Sequence, residues 1–110
     1  MPMASASRPP ELEASHAPTA DELKALPAIG HTAVHILEEC IAEHHIAEVG
    51  YSEPDEPEET VRLRPAFIRT STAHHIVVWG FPVDADHWIE LRLDRIHRVR
   101  DTGEMFQPGW

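Results

Sequence analysis

Hydrophobic and polar positions change their period twice along this chain, and each change predicts a change of structure. Residues 1–19 are rich in Pro, Ala, Ser and Glu without periodicity, which predicts a disordered lead. Thr19-Ala20-Asp21-Glu22 then has the form of a helix start, with Thr19 as cap and acids in the first turn. The short helix it opens should run through Leu26 and end near Pro27, with Gly30 as a break. A longer helix is predicted from about His31 to His45. Val34, Leu37, Cys40 and Ile41 form its buried stripe, and Glu38, Glu39 and Glu43 face water.

From Ile46 onward the period shortens to two. Ile46 to Tyr51 reads as a strand with Ala47, Val49 and Tyr51 on one side, and Ser52 to Thr60 as a solvated acidic loop. Val61-Arg62-Leu63-Arg64 alternates, and Pro65 implies an edge or a bend before Phe67 to Arg69. His74 to Phe81 has the composition of a central strand, and Pro82 to Asp86 that of a turn. The run from His87 to Ile96 alternates through Ile89, Leu91 and Leu93, with Trp88, Glu90 and Arg92 opposite, and ends at Asp94-Arg95. A last short strand is predicted over His97 to Arg100, then a tail with Phe106 and Trp110 as anchors. The predicted class is α+β: N-terminal helices, residues 20–45, packed on a small, strongly bent five-stranded antiparallel β-barrel, residues 46–101, with a tail over 102–110. Residues 20–110 are read as one domain.

Composition narrows the function classes. The net charge of −10 argues against indiscriminate nucleic-acid binding, but residues 1–60 alone contribute −11 and residues 61–101 contribute +2. A local anion site on an acidic protein is therefore open. The single cysteine, Cys40, excludes an internal disulfide, and its apolar neighbours predict a buried, inert thiol. With no apolar run of membrane-spanning length and no signal-peptide core, a cytoplasmic location is expected. No phosphate loop, nucleophile elbow or paired Cys/His signature occurs, so a non-enzyme without cofactor or resident metal is expected.

The candidate chemistry lies in the arginines. Arg92 and Arg95 flank the end of a strand, and Arg62 and Arg64 share one face of another. Guanidinium forks match phosphate oxygens bidentately. Spacing alone slightly favours a structural ion pair instead, such as Arg95 with Asp94, Asp84 or Asp86. His31 and His35, four apart on a helix, have metal-gripping spacing but lack the glutamate of a metalloprotease motif.

Taken in order, these pieces resemble the WYL domain, an SH3-like or Sm-like barrel of bacterial regulators. Leu37 to His45 resembles its opening helix, Ile46 to Tyr51 its first strand, and Val61-Arg62-Leu63-Arg64-Pro65 its proline-ended strand. Leu91-Arg92-Leu93-Asp94-Arg95-Ile96 is similar to its most distinctive signature, and Thr102 to Phe106 to its ending. Where the family carries Trp-Tyr-Leu, this chain has His74-His75-Ile76. The resemblance implies a regulatory, ligand-sensing module binding a short single-stranded nucleic acid or nucleotide. Arg92, Arg95 and His75 would stand at the centre, Arg64 and Arg62 at the edge, and Tyr51 or Trp88 would offer stacking surfaces. A free-standing module without its own helix-turn-helix is expected, acting through a protein partner or a homodimer. The alternative is a protein-interaction module whose acidic front half docks a partner, with no nucleic-acid ligand.

Overall fold

The computed structural model describes residues 14–108. The first helix, α1 (Ala20–Lys24), starts as its sequence implies: the Thr19 hydroxyl accepts from the Glu22 N–H, and the Glu22 carboxylate accepts from the Thr19 N–H. The second helix, α2 (Ala28–Glu43), begins three residues before the predicted start. Pro27 does not break the chain there but caps it, its carbonyl accepting from the N–H groups of Gly30 and His31. Gly30 lies inside the helix, where a Cβ would stand 3.1 Å from the Leu26 Cβ. The helix ends on His44, whose left-handed backbone (φ 58°, ψ 47°) turns the chain directly into the first strand.

Five antiparallel strands follow: β1 (His45–Tyr51), β2 (Glu59–Thr70), β3 (Ile76–Pro82), β4 (Ile89–Arg92) and β5 (Ile96–Met105). They form one sheet in the order β4-β3-β2-β1-β5. The predicted α+β class holds; the sheet is strongly curved and is not closed into a barrel. Connectivity demands the curvature. Five strands laid flat would separate the outer two by about 19 Å at the usual spacing. Yet a single 3-10 turn, Leu93–Arg95, joins β4 to β5 across that gap. At a rise of about 2 Å per residue such a turn spans only about 6 Å. The edges must therefore curl toward each other.

The apolar alternation fills the concave side. Leu37 and Cys40 of α2 pack on Ala47, Val49, Leu63, Val78, Leu91 and Leu93, all buried. Ile41, predicted to belong to this stripe, is only partly covered and borders a shallow groove between α2 and β2. The two pieces predicted around Pro65 are one strand. Pro65 is accommodated by a register shift between Pro65 and Phe67, where the ladder needs no N–H from it.

Three expectations are corrected. His74 and His75 do not lie on a strand but in the tight turn ahead of β3, where His74 adopts φ 66° and the Ser71 N–H donates to the His75 carbonyl. The last strand continues past Arg100 to Met105, taking in the first four residues of the expected tail; the Thr102 hydroxyl donates to the Ile46 carbonyl at 2.7 Å. Of the lead predicted to be disordered, residues 1–13 lie outside the described residues, whereas His16 exchanges backbone hydrogen bonds with Thr70 and Ser15 accepts from Arg69. Phe106 does anchor the end of the chain, its ring edge-on to His44 at 5.8 Å; Trp110 lies outside the described residues.

Candidate functional site

The β4–β5 junction shows how a strand ending becomes a site. Leu91, Leu93 and Ile96 turn inward and are almost fully buried, and the alternation leaves Arg92 and Arg95 on the outside. The 3-10 turn brings Asp94 back under Arg92, whose fork donates twice to its carboxylate, Nε to Oδ1 at 3.0 Å and a terminal nitrogen to Oδ2 at 2.6 Å. These bonds hold Asp94 below the ordinary carboxylate range and raise Arg92 further. Arg95 reaches the 52–58 loop and donates to Glu53 at 2.6 Å; the Tyr51 hydroxyl donates to the other Glu53 oxygen. On the flank, the Ser52 hydroxyl meets His97 Nε2 at 2.6 Å, and the Ser52 N–H donates to the Arg95 carbonyl. The ion pair that spacing offered for Arg95 is thus made differently: Asp94 takes Arg92, and Arg95 takes Glu53.

His75 joins this group from the β2–β3 turn, lining the same recess as Asp94. The recess, of about 240 Å³, lies between that turn, the end of α1 and Asp94. The recess wall is fixed by Glu22, which accepts from the Thr70 hydroxyl at 2.9 Å and pairs with His16 at 3.0 Å. The Thr19 N–H, His16 and Thr70 together hold the Glu22 carboxyl down to about 2.

Arg92, Arg95 and His75 are therefore gathered around Asp94, with Tyr51 and Glu53 beside them. Arg64 and Arg62 are not. Arg64 donates to the carbonyls of Pro82 and Ala85, clamping the β3–β4 turn, and lies over the Phe81 ring. Its Nε is buried with no hydrogen-bond partner among the described residues. Arg62 sits on the outer face of the sheet and pairs with Glu104. Trp88 packs against Phe81 and Phe67, at 4.6 and 5.8 Å between ring centres, away from the junction. Glu53 and Glu22 were missed in the sequence. Glu53 meets an arginine 42 residues away, and no local pattern signals that contact.

His31 and His35 stand exposed on α2, and among the described residues no group of three or more His, Cys, Asp or Glu side chains is arranged to hold a metal ion. Cys40 is fully buried, and burial pushes its thiol up to about 12, well above the range of a reactive thiolate.

The architecture defines a class: a strongly curved five-stranded sheet, a helix across its concave side, and an arginine-flanked turn joining the two edges, in a WYL-like arrangement. Among solved structures it is similar to Proteasome accessory factor B/C (PafBC) of Arthrobacter aurescens, a WYL-domain-containing regulator, with a TM-score of 0.65 and 14% identity. The match covers 76% of this chain and 13% of that one, and at this identity it is a likeness of fold. No family model and no curated protein matches the chain.

Proposed function

We propose that this protein is a regulatory, ligand-sensing module that binds a short single-stranded nucleic acid or nucleotide at the β4–β5 junction. The likeness to a regulator of WYL-like fold supports the general role. The observation that carries the finer reading is the pair of largely covered arginines, Arg92 and Arg95, on one turn, with His75 and Asp94 lining the recess beside it. Both guanidiniums are neutralised by carboxylates, but Asp94 and Glu53 are 46% and 57% exposed. Exposed pairs contribute only about 0–1 kcal/mol. A phosphate that accepts from a fork bidentately can displace such partners. The role is binding rather than catalysis. Among the described residues no helix is long and apolar enough to cross a membrane.

A salt titration of binding to short single-stranded oligonucleotides tests this reading. Phosphate contacts release counterions, so affinity should fall steeply with salt. Absence of binding at low salt removes the proposal. The second reading, a protein-interaction module, has its own support in the exposed acidic loop of residues 53–59. It predicts a defined protein partner whose binding is indifferent to Arg92→Ala.

A further inference from the structure

Asp94 belongs to two places at once: it holds the Arg92 fork, and it lines the recess beneath the β2–β3 turn. The apolar part of its lining comes from Ala25, Leu26 and Pro27 after α1 and from Ile76 at the start of β3. His75 closes the near side, held by a turn whose neighbour His74 carries a left-handed backbone at φ 66°. A lining that combines these apolar side chains with an imidazole suits a planar ring. The volume, about 240 Å³, is below the roughly 300–1,000 Å³ of sites for drug-sized ligands. It therefore suits one ring system and no longer stretch of a strand.

The polar chemistry says which ring. Glu22 already accepts from the Thr19 N–H and the Thr70 hydroxyl and pairs with His16, so it forms fixed wall. Asp94 differs, because both of its oxygens are engaged by the one group that a phosphate would claim. Once a phosphate occupies the Arg92 fork, two carboxylate oxygens are released at the edge of the recess. Water reaches these half-exposed oxygens while the recess is open, but a ring that enters covers them, so it should bring N–H groups in place of the water.

We infer that the recess is the base subsite of the ligand: one amino-bearing nucleobase lies between Leu26 and His75, and Asp94 exchanges Arg92 for the base's amino group as the phosphate takes the arginine. This rests on the anion-binding reading of Arg92 and Arg95 and adds which part of a nucleotide is read, and by which residue.

Calorimetric titration of the full chain with CMP, UMP and ribose 5-phosphate at low salt separates the two claims. CMP should bind about tenfold more tightly than ribose 5-phosphate, the order of gain a stacked base brings. It should also bind several-fold more tightly than UMP, which carries a keto group where CMP has the amino group. Ala25→Trp, at an exposed position, should fill the recess and bring CMP down to the level of ribose 5-phosphate. Asp94→Asn should erase the difference between CMP and UMP while strengthening ribose 5-phosphate, since the competitor for Arg92 loses its charge. If ribose 5-phosphate binds but CMP binds no better, and Ala25→Trp changes neither, the base subsite is wrong and the anion site stands. If Asp94→Asn weakens all three alike, the exchange is wrong. If none of the three binds at low salt, the anion site itself falls and the subsite with it.

Discussion

Two arginine-bearing surfaces of this molecule look alike in sequence and differ in construction. On the outer face of β1, β2 and β5, the ladder places Glu48 opposite Arg62 on one side and Arg100 on the other. Arg100 pairs with Glu48, Arg62 with Glu104, and Arg98 with Glu58. Arg98 lies across Gly50, where a Cβ would come within 2.6 Å of its Cγ. Of these partners only Glu48 stands in register on a neighbouring strand; Glu104 lies two strands from Arg62, and Glu58 lies just before β2. At the β4–β5 junction the partners come from a turn and a loop. The side chains of Arg92 and Arg95 are only 27% and 26% exposed, against 55% and 63% for Arg98 and Arg100. Alternation puts an arginine outside; how far its side chain is then covered separates the junction from the charge lattice.

The largest expected effect strikes the floor of the junction. Leu93 is fully buried in the 3-10 turn that joins the sheet edges. Leu93→Ala should cost about 2–5 kcal/mol, the range for a buried leucine reduced to alanine. Urea unfolding measures this directly. A loss below about 1 kcal/mol would mean that the turn is not anchored through Leu93. Next in size is the contrast in binding. Arg92→Ala and Arg95→Ala should each weaken a short oligonucleotide about tenfold and reduce the salt slope by about one, as expected for a lost phosphate contact. Arg62→Ala and Arg100→Ala should leave both quantities near wild type.

How far the sequence could be read follows from the range of the interactions involved. The α1 start was legible because a capping box is complete within four residues, Thr19 to Glu22. The strand faces were legible because a period of two is local, and Leu91 and Leu93 are buried as that period requires. The position of Arg92 and Arg95 on the outside of a strand end followed from the same pattern. Their neutralisation by Asp94 and Glu53 did not, since Arg95 meets a loop distant in sequence. The placement of Arg64 apart from the junction is illegible for a related reason: its partners are backbone carbonyls of Pro82 and Ala85, and residue identity does not announce them. The local pattern starts α2 too late because proline and glycine both read as helix breakers. In the fold the proline caps the helix and the glycine makes room for Leu26.

Acid should expose the recess and junction through their carboxylates. Glu22 is held from its ordinary 4.5 down to about 2, chiefly by the Thr19 N–H. Asp94 is lowered by Arg92, and Asp101 by the Gly103 N–H and His45. A carboxyl depressed in the folded state stabilises above its unfolded value and loses that contribution as pH falls through its folded one. Melting temperature should therefore fall with pH, and for Glu22 the loss should lie between about 4.5 and 2. Glu22→Gln should flatten the profile in that window. An unchanged profile would mean that the link from α1 to Thr70 adds nothing to stability.

The smallest expected effect is the one that most sharply tests the comparison. Arg98 and Arg100 are the more exposed arginines, and pairs of this kind contribute about 0–1 kcal/mol, less at high salt. Arg98→Ala and Arg100→Ala should each change stability by no more than that, and 0.5 M salt should narrow the difference further. Their effect on oligonucleotide affinity should be equally slight. If Arg98→Ala weakened binding as much as Arg92→Ala, proximity to the turn would count for nothing. Any arginine on this sheet would then serve as an attractor of anions, and the distinction between lattice and site would dissolve into net charge. If only the junction variants respond, affinity is tied to geometry, because removing either kind of arginine changes the overall charge by the same amount.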